Sequence, residues 1–506
     1  MKNMKRFISI LIPAILSGGL SGCYEDKGNY DYNDINEVSF TLTATDQNGR
    51  NLPINEDGFC RYKQPSSGDT MYVTYTPHVT QSLRGEDTTN LEWQWIVAYN
   101  KNKKAVTDSI NSKELTLKFP PAQASAYNVI FSVTDLSTNV SHYKSLSIKV
   151  VQPYRNSWFV LNGQEGDRYI STVEDPDSTN YLLTKDAYAD LGNERRFQDA
   201  TDLVYAPSLW EYKATLQILS KDSIWMMKPT ELKVLRSNKQ MLKFDASSNG
   251  LLYGVNGNSN TRNTLLATSN GRVYQCDTYG EYQEIINKEI PYYKATVVGE
   301  FNENNNILVW EDTKKILMIA NTYTSDFTHY PDEKTFSKKT PIWIGASTSP
   351  EKNAVGMVLM KDENGIHYIY DLVAQDKHEE YMLSDLDINE TSLFASNPAL
   401  TNLGGQMFYT KDSKLYRLNI KGGESFELYD AGGTISIMKF RVNHTHSRSE
   451  EDPQYHLGLV VNQGGKGELH DVTLTNGGDV ETSKTKIYEG FGEIVDICFS
   501  FMEITD

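Results

Sequence analysis

The chain has 506 residues, with 49 Lys and Arg against 66 Asp and Glu and a pI near 5.1. That length exceeds one ordinary core and predicts two or three domains, while the acidic balance disfavours nonspecific nucleic-acid binding and attraction to anionic headgroups. Four scattered cysteines exclude a disulfide-dense scaffold and a Cys-based metal site, because both need clustered thiols.

Lys2, Lys5 and Arg6 precede an apolar run from Phe7 to Leu16, and Leu20-Ser21-Gly22-Cys23 follows. The order reads as a bacterial secretion signal over 1–22 ending in a lipidation cysteine, Cys23. Cleavage there would leave an acylated N-terminus, and each buried methylene contributes about 0.8 kcal/mol to membrane residence. Without Lys2, Lys5 and Arg6 the basic count falls to 46 against the same 66 acidic residues. Residues 23–37 are polar and acidic and form an expected flexible tether. No later stretch approaches eighteen apolar residues, so no downstream helix is expected to span a membrane. Cys60, Cys276 and Cys498 are expected to be buried and reduced.

From 38 to 152 the pattern is alternating strands. Val38–Ala44, Met71–Tyr75, Leu91–Val97, Tyr127–Val133 and Ser145–Val151 each place apolar residues on one face. Leu91, Trp93 and Trp95 share a side, with Glu92 and Gln94 opposite, so the tryptophans read as core rather than as an exposed stacking platform. About 110 residues of short strands separated by turn formers fit an immunoglobulin-like β-sandwich.

Pro153 opens a different rhythm that runs over 153–506. Trp158–Leu161 pairs with Arg168–Ser171, Ser223–Met227 leads to Glu231–Leu235, and Gly250–Gly254 answers Gly271–Gln275. Asn306–Trp310 answers Lys315–Ile319, Val355–Leu359 answers Ile366–Tyr370, Gln406–Tyr409 answers Lys414–Leu418, and Leu457–Val461 answers Gly467–Asp471. Six to eight such units at a spacing of roughly 45 to 50 residues predict a β-propeller of about seven blades. Trp158, Trp225 and Trp310 read as blade core. Helix is expected to be scarce, at most a turn or two within 285–294 and 379–394.

No catalytic set is apparent. The run Val173-Glu174-Asp175-Pro176-Asp177 reads as a solvated hairpin tip or, less simply, a weak Ca²⁺ loop. His444 and His446 would share a face of an extended segment, as would Asp385 and Asp387, yet neither pair has a third ligand nearby. The glycine pairs from Gly404-Gly405 to Gly477-Gly478 lack the strand-loop-helix setting of a phosphate loop and suit tight turns. No cofactor and no metal are expected. Binding is the better expectation, with loop-borne Trp210, Tyr212, Tyr279, Tyr282, Tyr323 and Tyr330 as candidate ligand contacts.

The segment Cys23-Tyr24-Glu25-Asp26-Lys27-Gly28-Asn29-Tyr30, the strand ending Val133-Thr134-Asp135 and the stretch Tyr154–Leu161 together resemble PKD-like family lipoproteins of Bacteroidota. Gln406–Leu418 and Phe491–Ile497 also resemble segments of that group. The resemblance implies display on the outer face of the outer membrane, with Glu25 and Asp26 as the surface-export signal. It further implies a SusC-like TonB-dependent transporter and a SusD-like lipoprotein as partners, and an accessory role in capturing or presenting a glycan or oligopeptide. A purely structural adaptor, or a propeller-based polysaccharide lyase or glycosidase, is the alternative.

Overall fold

The structure is a computed structural model. It describes residues 35–500 except 65–69, 102–103, 121–124, 152, 155, 180, 191–194, 207–213, 221–222, 237–247, 255–263, 270, 277–281, 299–305, 322–325, 332–333, 348–354, 397–404 and 442–455. Among the described residues it is all-β, with one short helix at Ala187–Asp190. The stretches 285–294 and 379–394, expected to hold at most a turn or two of helix, are strand ends, turns and loops. Neither sustains a 3.6-residue apolar period, and their apolar side chains pack locally instead. No helix among the described residues is long and apolar enough to cross a membrane.

Residues 38–151 form two facing sheets. One orders Asn51–Leu52, Val38–Asp46, Met71–Gln81 and Leu115–Phe119; the other orders Phe59–Lys63, Val140–Val151, Ser125–Asp135, Leu91–Lys101 and Lys104–Ile110. Alternation buries Met71, Val73, Tyr75 and Val79 on one sheet and Trp95, Val97, Phe131 and Val133 on the other. Trp95 sits directly opposite Phe131, with ring centroids 4.4 Å apart, so the tryptophans are core as their alternation implies. Asp135 ends its strand as a buried hub, accepting from Asn36 Nδ2 at 2.7 Å, Asn90 Nδ2 at 2.9 Å and the Ser137 amide at 2.8 Å. The Ser137 hydroxyl adds a further bond, and these donors together hold the carboxyl well below the usual carboxylate range.

Among the described residues, seven four-stranded antiparallel sheets follow. Sheet 1 orders Leu182–Thr184, Tyr169–Glu174, Ser157–Asn162 and Ile494–Ser500, so the last strand of the chain completes the sheet that opens the region. Sheets 2 to 7 are meanders of consecutive strands that begin at Ala200, Ser248, Ala295, Lys339, Phe394 and Ile435, close to the spacing read from the sequence. Six of the seven hairpins expected from the sequence are direct neighbours. The seventh is corrected: Ser248–Gly254 and Arg272–Cys276 share sheet 3 but are separated by Thr264–Ser269.

Burial shows how the sheets pack. The strands Ser157–Asn162 and Thr215–Ser220 are buried at every residue, whereas Ser425–Asp430 has no buried residue. A strand buried on both faces requires a sheet on each side, and a solvated last strand marks an outer rim. Apolar clusters accordingly fill the spaces between sheets 1 and 2, 3 and 4, 4 and 5, 5 and 6, 6 and 7, and 7 and 1. Tyr282 of sheet 3 reaches Gln217 of sheet 2 at 2.7 Å.

The sandwich is joined to sheet 1 by ions. Lys63 Nζ lies 2.6 Å from Glu174 Oε1, and Arg61 Nη2 lies 2.6 Å from Asp175 Oδ2. Tyr154 and Asp175 both adopt left-handed backbone, at φ 59° and 46°, and Glu174 Oε2 accepts the Tyr154 amide. The acidic run 173–177 is therefore not a solvated tip. Glu174 is fully buried, and each of its carboxylates meets a cation supplied by a distant part of the chain.

Candidate functional site

Sheet 1 and sheet 7 meet along a seam that contains buried polar groups. The turn after Tyr169–Glu174 carries Asp177 across to the ends of the sheet 7 strands His456–Gln463 and Lys466–Thr473. Arg441 follows the strand Ile435–Phe440, is 1% exposed, and donates its amide to the His456 carbonyl. Its guanidinium forks onto Asp177, Nη1 to Oδ1 at 2.7 Å and Nη2 to Oδ2 at 2.5 Å, and lies 4.0 Å from the Phe499 ring centroid. This bidentate geometry on an aromatic face is what Arg provides and Lys does not.

Asp471 lies behind that pair. Its Oδ2 accepts from Trp158 Nε1 at 3.0 Å and is 3.7 Å from Arg441 Nη1, while its Oδ1 is 3.0 Å from His456 Nδ1. His456 Nε2 is 3.7 Å from Asp177 Oδ1, which places the imidazole between two carboxylates. Lys486 Nζ donates to the carbonyls of Pro176 and Ser178, and Tyr488 Oη donates to the Pro176 carbonyl at 3.1 Å. Burial pushes the Tyr488 phenol far above its usual range. Burial also favours the neutral form of Asp177, but the hydrogen bonds and charge of Arg441 outweigh it and hold the carboxyl below the usual range.

These groups wall a cleft of about 600 Å³ that includes Asp177, His456, Asp471, Thr473, Lys484 and Lys486. A nucleophilic triad would need a hydroxyl on the imidazole nitrogen remote from the carboxylate. Here Nε2 faces Asp177, and Thr473 Oγ1 lies 3.4 Å from Nδ1 instead. The arrangement suits fixed hydrogen-bonding positions for a ligand.

A second polar group joins edge strands of three sheets. Lys439 Nζ lies 2.6 Å from Asp496 Oδ1, and Asp496 Oδ2 accepts the Leu203 amide at 2.7 Å, linking sheets 7, 1 and 2. Burial opposes the charged form of Lys439, but the charge and hydrogen bond of Asp496, with Asp202 nearby, together outweigh it and hold the ammonium above its usual range.

Two of the six loop aromatics expected to meet ligand are corrected. Tyr282 is 1% exposed on the strand Tyr282–Glu284, and Tyr330 is 1% exposed, 3.0 Å from His378 Nδ1 through its hydroxyl and packed on Phe336. Their polar neighbours in sequence are strand-edge residues, so polarity of the surroundings misreported the direction of the rings. Trp210, Tyr212, Tyr279 and Tyr323 lie outside the described residues, as do Cys23, Glu25, Asp26, His444 and His446. Asp387 pairs with Lys411, and Asn389 Nδ2 reaches Asp412 Oδ1 at 3.0 Å. Among the described residues no group of three or more metal-capable side chains occurs. Cys60 and Cys276 are buried and unbridged, and Cys498 is partly buried and unbridged.

Sequence reasoning missed the seam network. Asp177 and Arg441 stand 264 residues apart, and Trp158 read only as core. The one local signal was the concentration of Arg and His after residue 440, which spacing alone directs toward a metal.

With this geometry in hand, comparison with known proteins identifies one domain of the chain. The sequence profile of the PKD-like family matches residues 23–196, so the chain carries an N-terminal PKD-like domain. The match runs past the sandwich into sheet 1, across the ion-paired joint described above. No curated protein matches significantly. Among solved structures, a quinonprotein alcohol dehydrogenase-like protein from Bacteroides thetaiotaomicron is 11% identical, with 90% of this chain and 99% of that chain covered and a TM-score of 0.42. A mutant of the Synechocystis apocarotenoid oxygenase is 8% identical over 81% and 96% of the two chains, with a TM-score of 0.40. The β-propeller domain of Cps50 (Swd1) from Myceliophteria thermophila is 11% identical over 59% and 89%, with a TM-score of 0.35. Likeness at this level carries no argument about activity.

Proposed function

We propose that the seven sheets close into a seven-bladed propeller, and that the protein is a lipid-anchored outer-membrane protein facing the cell exterior. There it helps capture or present a glycan or oligopeptide to a SusC/SusD-like TonB-dependent transporter. Ring closure is supported by the pairing of Ile494–Ser500 with Ser157–Asn162 and by apolar packing of sheet 7 on sheet 1. Anchoring rests on the leader and Cys23, and outward display on Glu25 and Asp26.

The observation that carries the capture role is the polar seam cleft, whose donors and acceptors are held in place by Arg441, Trp158 and the Pro176 and Ser178 carbonyls. Metabolic palmitate labelling is expected to be lost in Cys23→Ala, and externally added protease is expected to digest the body on intact cells. A detergent pull-down of the tagged protein is expected to recover the transporter together with a retained ligand. Transporter recovered with no ligand under any nutrient condition would replace capture with a structural adaptor role. Protection of the body on intact cells would remove the exterior role altogether.

A further inference from the structure

We infer that the seam cleft takes a neutral saccharide. This deepens the capture role and rests on it. The first argument is charge. Three carboxylates, Asp177, Asp471 and Glu481, stand against three cations: Arg441, shared between Asp177 and Asp471, Lys484 at 3.0 Å from Glu481, and Lys486, which gives two of its three donors to carbonyls; the cleft walls and the guanidinium behind them balance in charge. A charged ligand would upset that balance, and one that drew Asp177 away would leave the buried Arg441 guanidinium without its fork. A neutral ligand does neither.

The second argument is the kind of hydrogen bond left over. A carboxylate offers about four acceptor positions, and the Arg441 fork uses one on each oxygen of Asp177, whose side chain remains 54% exposed. Acceptors held rigidly, with their own cation already fixed behind them, suit ligand hydroxyls as donors. Thr179, Asn476 and Ser483 are exposed in the same walls and supply groups that both give and accept. Hydroxyl-bearing rings present that mixture at every carbon.

The third argument is the boundary. Tyr181 is 42% exposed, stands edge-on to Tyr488 with centroids 4.9 Å apart, and has Nζ of the cleft residue Lys486 6.0 Å over its ring. An anchored ring face beside polar acceptors fits the C–H face of a pyranose. A peptide would call for apolar side-chain pockets, and the apolar residues of the described lining are Pro176 and Leu474. The volume of about 600 Å³ lies inside the ~300–1,000 Å³ range of small-ligand sites.

The test uses the full-length lipoprotein in detergent, titrated calorimetrically with maltohexaose, cellohexaose, xylohexaose and mannohexaose, and separately with trigalacturonate and tetra-alanine. At least one neutral hexasaccharide is expected to saturate. Asn476→Trp, which fills the cleft from an exposed turn, is expected to weaken that binding by about tenfold or more with an unchanged melting temperature, and Tyr181→Ala by about threefold. Neutral hexasaccharides that fail to saturate, or binding indifferent to Asn476→Trp, overturn the inference. Tetra-alanine or trigalacturonate binding that Asn476→Trp abolishes overturns the saccharide class while leaving capture intact. Transporter co-purification from the same extract reports on the capture role independently of either result.

Discussion

The interface between sheets 4 and 5 and the seam between sheets 7 and 1 solve the same packing problem with different chemistry. Sheets 4 and 5 are consecutive, and Leu308, Trp310, Val358, Met360 and Tyr370 fill the space between them. Sheets 7 and 1 unite strands from opposite ends of the region, and they add Arg441, Asp471 and His456 to a similar apolar cluster. Neighbours along the chain meet at little entropic cost, so non-directional burial suffices. A seam that must dock sheet 7 on sheet 1 gains from directional bonds, Trp158 to Asp471 and Arg441 to Asp177, that one arrangement satisfies.

The largest expected effects would break that contrast from each side. Asp471→Ala removes the acceptor for Trp158 and His456 and one of the two carboxylates at a buried arginine, and is expected to cost about 3–5 kcal/mol in urea unfolding. Trp310→Ala opens a cavity between sheets 4 and 5 and is expected to cost a similar ~3–5 kcal/mol. The two separate on partial replacement. Asp471→Asn keeps one of the two acceptor oxygens and should recover part of the loss, whereas Trp310→Phe should recover in proportion to the volume restored. Equal recovery by every polar replacement at 471, including ones that cannot accept from Trp158, would remove the directional role assigned to the seam.

A buried carboxylate away from the seam is governed by desolvation, with the Lys421 charge the last of the influences on it. Asp371 is packed against Ser347 in sheet 5, and burial pushes its carboxyl up to about 6 even though the Ser347 hydroxyl bond opposes the shift. A raised folded value means the contribution to stability is fully present below the ordinary pKa of 3.8 and is lost as pH rises through about 6. Asp371→Asn is therefore expected to flatten stability between about pH 4 and 6 and to gain about 2–3 kcal/mol above that window. An unchanged pH profile would mean the group is solvated. Next in size is Gly458→Ala at the seam, where a Cβ would come within 2.7 Å of the Trp158 ring. About 1–3 kcal/mol should be lost there as Trp158 is driven from the Asp471 bond.

The contrast also explains what could be read in advance. Alternation in Met71–Gln81 and around Trp95 identified the sandwich, because each strand has one dry face and the signal is local. Paired apolar runs such as Asn306–Glu311 with Ile316–Asn321 identified the repeated sheets through a short turn. In sheet 3 the same reasoning skipped Thr264–Ser269, whose apolar run, Leu265 to Ala267, is three residues long and flanked by threonines. The seam was invisible for a different reason. The partners of Asp177 lie 264 residues away, and a carboxylate in an acidic run looks identical in sequence whether water or arginine faces it. Tyr282 and Tyr330 failed in the same manner, as polar neighbours along the chain do not report what stands across a sheet.

The smallest effect tests the seam by titration. Arg441 holds the Asp177 carboxyl below the usual range, so its contribution is present above the ordinary pKa of 3.8 and disappears as pH falls through the lower folded value. Because the Asp177 side chain is 54% exposed, solvent screening limits the expected contribution to about 1 kcal/mol or less. Asp177→Asn should then leave a shallower acid limb below pH 4 and no change in the window where Asp371 acts, with the double variant additive across the two windows. Urea midpoints measured from pH 3 to 7 check this directly. If Asp177→Asn left the acid limb unchanged, the pairing of Asp177 with Arg441 would not be what holds the seam together.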